Sequence, residues 1–174
     1  MRFGHRLSID LDLFTNELFD YVKLSEAIAY HFPKTEVTGH NERMLFMYVN
    51  DVKVDLVSIP YPYIEPIEVI DGVRMASIPD IIAMKLSAIS SRGVKKDFWD
   101  VAELLNDYSI SEMIDFYKLK YSSHDIWHLL RSMVYFEDAE KQRNNPSPLK
   151  SMTWAQVKKK VEKAVRVFIN KSVR

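Results

Sequence analysis

Cysteine is absent from the 174 residues, which excludes disulfides and thiolate metal sites and is compatible with a reducing compartment. Net charge is absent too, because 24 basic side chains balance 24 acidic ones. Attraction of the whole molecule to nucleic acid is therefore not expected, and only a local basic patch remains open. No apolar run approaches the roughly 18 residues that read as a membrane span. The N-terminus lacks the charged, apolar and small-residue zones of a signal peptide. Cytoplasm is the expected location, with no membrane association. Repeats and low-complexity tracts are also missing.

What is present is an apolar share of 47%, enough for an ordinary core. The length fits one domain, or one domain with a helical extension, and a chain of this size buries about 70% of its unfolded surface without staples. The first half reads as mixed strand and helix, the second as helix.

From Leu7 to Leu13 the pattern alternates: Leu7, Ile9, Leu11 and Leu13 point one way, Ser8, Asp10 and Asp12 the other. Thr15 or Asn16 then caps a helix running to about His31, with Leu18, Phe19, Val22, Leu24, Ile28 and Ala29 on its apolar side. Met44 to Val49 and Val52 to Ile59 read as strands joined at Asn50-Asp51. In the second of these, Lys53 and Asp55 share one face. Glu68 to Met75 adds a short strand interrupted at Asp71-Gly72. Ser77, with Pro79 in the first turn and Asp80 three residues on, starts a helix. Further helices are expected near 97–107, 110–120, 124–141 and 153–170, with a linker at Arg143 to Ser151.

Asp10 and Asp12 project side by side from their strand, and Asp55 lies on another strand with an apolar reverse face. If the strands are neighbours, the three carboxylates converge. Such a cluster repels itself unless a cation neutralises it, and hard oxygen ligands select Mg²⁺ or Mn²⁺. By spacing alone, a solvated strand face is the commoner explanation of the same acids, although aspartate is depleted in strands. Lys85 falls within the apolar stripe of Ile78, Ile81, Ile82, Leu86 and Ile89. It either snorkels from the stripe's edge or finds an anionic partner. Asp97 and Asp100 suit the start of the following helix; the alternative is that one of them pairs with Lys85.

The segments GHRLSIDLDLFT (4–15), VKVDLV (52–57), RMASIPDIIAMKLSAISSRGVKKDFWDVAELL (74–105) and YFEDAE (135–140) together resemble the AbiEii/AbiGii family of nucleotidyltransferase-like toxins, the toxin half of type IV toxin–antitoxin pairs. The resemblance implies an α+β fold: a polymerase-β-like nucleotidyltransferase mixed sheet with helices over residues 1–76, and a helical C-terminal region over 77–174. It implies transfer of a nucleotide from NTP to an acceptor such as tRNA, Mg²⁺ or Mn²⁺ as cofactor, and an antitoxin protein as partner. Asp10 and Asp12 become the metal-binding pair and Asp55 the third strand acid. Lys85 becomes a nucleotide-contacting lysine and Asp97 or Asp100 the acid of the later motif. Beside the acidic strand, Arg6 and Ser8 are candidate nucleotide-binding side chains, although a surface strand-end arginine is the commoner explanation of Arg6. Members carry a glycine-rich phosphate-gripping stretch upstream of the first acidic strand. Here Met1 lies nine residues before Asp10, and Gly4 falls immediately before the strand. The alternative expectation is thus an inactive nucleotidyltransferase-fold binding protein.

Two weaker signals complete the sequence. His124 and His128 are spaced i, i+4 on an expected helix but lack the intervening glutamate of a metalloprotease. Trp154, Val157, Val161, Val165, Phe168 and Ile169 form an apolar helical stripe, with Lys158, Lys159, Lys160, Lys163, Arg166 and Lys171 on the other face. Such a basic face is ordinarily solvated, and contact with an RNA acceptor's phosphates is its functional alternative.

Overall fold

A computed structural model describes residues 4–122, 125–142 and 146–172. His124, and residues 143–145 of the expected linker, lie outside the described residues. The chain divides into two compact units, one of residues 8–62 and one of 1–7 with 63–174.

The smaller unit is a four-stranded mixed sheet with one helix. Its elements are β1 (Asp10–Thr15), α1 (Tyr21–His31), β2 (Thr35–Asn41), β3 (Met44–Val49) and β4 (Val52–Ser58). The strand order is β1-β4-β3-β2, with β1 parallel to β4 and the other pairs antiparallel. Asn50 and Asp51, both at positive φ, close the β3–β4 hairpin. This is the twist-matched two-residue turn that short polar side chains tolerate.

Alternation divides the sheet into two faces. On one, Leu45, Met47 and Val54 are buried against Phe19, Tyr21, Leu24 and Ile28 from α1 and the segment before it. The register sets Leu11 and Leu13 beside Val54 and Leu56 on this face, yet on the edge strand they remain 49% and 44% exposed. The other face carries Asp10, Asp12, Lys53 and Asp55.

Two expectations shift here. The first strand occupies Asp10–Thr15 rather than Leu7–Leu13, because β4 offers partners only from Lys53 onward, while the Leu7 amide donates to the Ser147 carbonyl at 2.8 Å. Thr15 and Asn16 do not cap α1. Asp20 does, its carboxylate accepting from the Val22 and Lys23 amides, since Thr15 is still paired with Ser58 in the sheet. Strand β2, with its irregularity between Val37 and Gly39, has no counterpart in the sequence reading.

The larger unit holds a two-stranded ribbon, β5 (Glu68–Ile70) and β6 (Val73–Met75), then α2 (Ile78–Ser91), α3 (Lys95–Leu104), α4 (Ile110–Lys120), α5 (Ile126–Met133), α6 (Glu137–Glu140) and α7 (Trp154–Ser172). Helix α2 packs against α3, α4 and α5, and α7 against α3, α4 and α5. The expected helix over 124–141 is broken between Met133 and Glu137. There the Val134 and Tyr135 amides turn back to the Arg131 and Ser132 carbonyls, and Phe136 is buried against Phe98 and Trp154. On α7, Val157, Val161 and Val165 are buried as the stripe predicts, and Trp154 stacks on Trp99 with ring centroids 5.3 Å apart.

Ser77 caps α2 by accepting from the Asp80 amide at 3.2 Å. Asp80 is itself fully buried. It accepts from the Ser77 hydroxyl at 2.7 Å, from the Ile64 and Glu65 amides, and from Lys120 Nζ at 2.7 Å. Burial alone would raise its pKa, but Lys120, Ser77 and the Ile64 amide more than offset this and hold the carboxyl below its ordinary value. The pair joins the start of α2 to the end of α4 in a medium where an unpaired charge is costly.

Candidate active site

The sequence-derived candidates fall into two groups, one in each unit. In the sheet unit, β1 runs parallel to β4 with Asp10 opposite Lys53 and Asp12 opposite Asp55. Residues in register on adjacent strands share a face, so Asp10, Asp12 and Asp55 project to the same side. Ser8 precedes the strand, its hydroxyl 3.4 Å from the Asp10 carbonyl.

Lys53 belongs to this face as well. Its ammonium lies 2.7 Å from Asp55 Oδ2. The hydrogen bond to Asp55 raises the lysine pKa; partial burial opposes the shift, and the charges of Asp55, Asp10 and Asp12 reinforce it. All three carboxylates are thus felt at one point. The other oxygen of Asp55, Oδ1, is buried without a hydrogen-bond partner, which is a costly condition for a carboxylate. The donor chemistry of this face fits a hard divalent cation, and the orphaned oxygen fits it too. As placed, no group of three His, Cys, Asp or Glu among the described residues is gathered tightly enough to hold a metal ion. The face is instead partly neutralised by Lys53.

In the helical unit, Lys85 sits between two acids of α3. Its Nζ is 2.8 Å from Asp100 Oδ2 and 3.2 Å from Asp97 Oδ1. Arg6 reaches Asp100 with both Nε and Nη2, at 2.6 and 2.9 Å, the forked geometry that suits guanidinium to carboxylate. His5 Nε2 is 2.8 Å from Asp100 Oδ1. Arg92 Nε and Nη2 reach Asp97 at 3.1 and 3.3 Å.

Asp97 does not cap α3. Val94 is the N-cap residue and, having no polar side chain, makes no side-chain cap bond; the Asp97 carboxylate is engaged instead by Lys85 and Arg92. Burial opposes the charged form of Asp100, but hydrogen bonds from Arg6 and His5 and the charge of Lys85 hold it far below the usual carboxylate range. Burial likewise opposes the charge on Lys85, and Asp100 and Asp97 outweigh it, raising its pKa. The lysine within the apolar stripe has therefore found anionic partners.

The profile of the nucleotidyl transferase AbiEii toxin family of type IV toxin–antitoxin systems matches residues 1–167. The chain belongs to this family. The uncharacterized protein aq_aa25 of Aquifex aeolicus (strain VF5) is 32% identical over 148 residues, covering 82% of this chain and 71% of that protein. The crystal structure of JHP933 from Helicobacter pylori shares the fold, with a TM-score of 0.52 at 17% identity over 97% of this chain and 78% of the other. The α+β nucleotidyltransferase-like architecture with a helical C-terminal part is therefore as the family resemblance implies.

Against this family background, the sequence assigns no role to His5 or Arg92, and places Lys53 beside Asp55 without their ion pair. Lys53 shares a face with Asp55, and its i−2 spacing was the signal for a local ion pair. His5, flanking Arg6, and Arg92, five residues before Asp97, had no periodic signal, because their contacts depend on how the chain folds back. Among the described residues no helix is long and apolar enough to cross a membrane. His128 lies on α5. On the basic face of α7, Lys158 is engaged by Glu140 and Lys160 by Asn106.

Proposed function

We propose that this chain is a Mg²⁺- or Mn²⁺-dependent nucleotidyltransferase that moves a nucleotide from an NTP to a hydroxyl of an RNA acceptor, tRNA being the favoured class. The observation that carries this is that Asp10, Asp12 and Asp55 project from the same face of two adjacent parallel strands. Family membership supplies the reaction class.

Asp10 and Asp12 are the residues that would hold the divalent cation. Asp55, through its unpartnered Oδ1, completes that ligand set or takes the proton of the attacking hydroxyl. A bound divalent cation would supply charge neutralisation for the phosphates. In the transfer, the acceptor oxygen bonds to the α-phosphorus, the bond from that phosphorus to the bridging oxygen breaks, and pyrophosphate departs with the electron pair. Lys85 is the proposed nucleotide-contacting lysine, its ammonium oriented by Asp97 and Asp100. Arg6 and Ser8 are proposed binding side chains, Arg6 acting chiefly to fix Asp100. An antitoxin partner and a cytoplasmic setting belong to the same proposal.

Incubation of the intact protein with labelled NTPs, Mg²⁺ and total tRNA tests it. Label transfer that Asp10→Ala abolishes is the expected result. Absence of transfer by the intact protein, with Asp10→Ala equally silent, removes the proposal and leaves a nucleotidyltransferase-fold binding protein.

A further inference from the structure

The acidic face carries a cation of its own. Lys53 and Asp55 stand two residues apart on β4 and point the same way, so the ammonium reaches Oδ2 at 2.7 Å without leaving its strand. In the neighbouring strand Asp10 is its register partner, while Asp12 is that of Asp55. The Lys53 ammonium thus lies on the face that carries the three carboxylates. It occupies one oxygen of Asp55 and leaves the other buried and unpartnered.

We infer that Lys53 is the exchangeable counter-ion of this face, competing with a divalent cation for Asp55 and so setting the cation concentration at which the site fills. The inference rests on the nucleotidyltransferase reading of the three carboxylates. Two features make the exchange feasible. The Lys53 side chain is 40% exposed, and ion pairs with an exposed member are weak, so the ammonium leaves Asp55 at small cost. Its flexible four-carbon stem lets the charge move to water while the strand stays paired. Without the ammonium, Asp55 would lose its cationic partner, so the same lysine also stabilises the sheet when no divalent cation is bound.

Calorimetric titration of the full chain with MnCl₂ tests this, using the native protein, Lys53→Met, Lys53→Arg and Asp55→Asn. Lys53→Met is expected to bind Mn²⁺ about two- to fivefold more tightly, because its competitor is gone. Lys53→Arg keeps the charge and is expected to stay near native affinity or weaker, and Asp55→Asn to lose most binding. Thermal melts in EDTA add a second readout, with Lys53→Met melting below the native chain and recovering when Mn²⁺ is added. Unchanged or weaker Mn²⁺ affinity in Lys53→Met overturns the inference, as does absence of Mn²⁺ binding by every variant. If Lys53→Met does not fold, an Mn²⁺ affinity of Lys53→Arg tighter than native overturns it. Mn²⁺ binding that follows the expected order without any nucleotide transfer leaves Lys53 in this role and removes only the catalytic reading.

Discussion

Replacing Lys120 with methionine keeps the length of the side chain and removes its ammonium from the buried partner Asp80. Both residues are almost wholly inaccessible, at 4% and 0% exposure, so water cannot take over the lost interaction. Removing one member of a buried pair costs about 3–5 kcal/mol. Asp80 keeps the Ser77 hydroxyl and the Ile64 and Glu65 amides, which places the expected loss near the lower end, about 3 kcal/mol. That corresponds to a fall in Tm on the order of 10 °C. Urea unfolding followed by circular dichroism measures it as a lower midpoint at unchanged slope.

The pH dependence supplies a second check. The Asp80 carboxyl is held below its ordinary value in the native fold, so its contribution is complete above the unfolded pKa of about 3.9 and declines as pH falls toward the folded value. The gap between native and Lys120→Met should therefore narrow in acid. The double variant Asp80→Asn with Lys120→Met should recover part of the loss, because no buried charge is stranded. A loss below about 1 kcal/mol for Lys120→Met at neutral pH, or a gap that widens in acid, would refute the reasoning.

Asp100→Asn should weaken the helical unit and flatten the acid limb of its stability curve, since the depressed native pKa of Asp100 makes its contribution present above about pH 3.9 and lost below; urea titrations at several pH values read this. Arg6→Lys should lose the forked contact to Asp100 and cost about 1–2 kcal/mol despite retaining the charge, measured by chemical denaturation. Asp51→Gly should be neutral or stabilise by up to about 1 kcal/mol, because it relieves a positive φ in the β3–β4 turn and forfeits only the exposed pair with Lys34; a thermal melt decides it.

The acidic face was legible in the sequence because a strand's two-residue period is local: Asp10, Asp12 and Asp55 announce their sides without knowledge of the fold. The β3–β4 hairpin was legible for the same reason, through Asn50-Asp51. What the pattern does not contain is pairing. That β1 lies directly beside β4, and in the register that sets Asp12 against Asp55, depends on non-local contacts. Strand β2 escaped notice because Thr35, Glu36, Gly39 and His40 give no apolar alternation. Lys85 was visible as a charge within an apolar stripe, but its partners are chosen by the packing of α2 on α3. The cap of α1 was misplaced because Thr15 resembles a cap equally well inside a strand end, and only the neighbouring strand decides.

Residues 5–7 are tied to residues 147–149, with the Leu149 amide donating to the His5 carbonyl and Arg6 bridging to Pro148, although the intervening chain includes the whole sheet unit. During synthesis the sheet can therefore close on itself soon after residue 62 emerges, whereas residues 5–7 must wait for residues 147–149 before their partners exist. Completion of the helical unit thus follows that of the sheet unit, and a ribosome-stalled fragment ending before Pro148 would hold a finished sheet and an unfinished helical half.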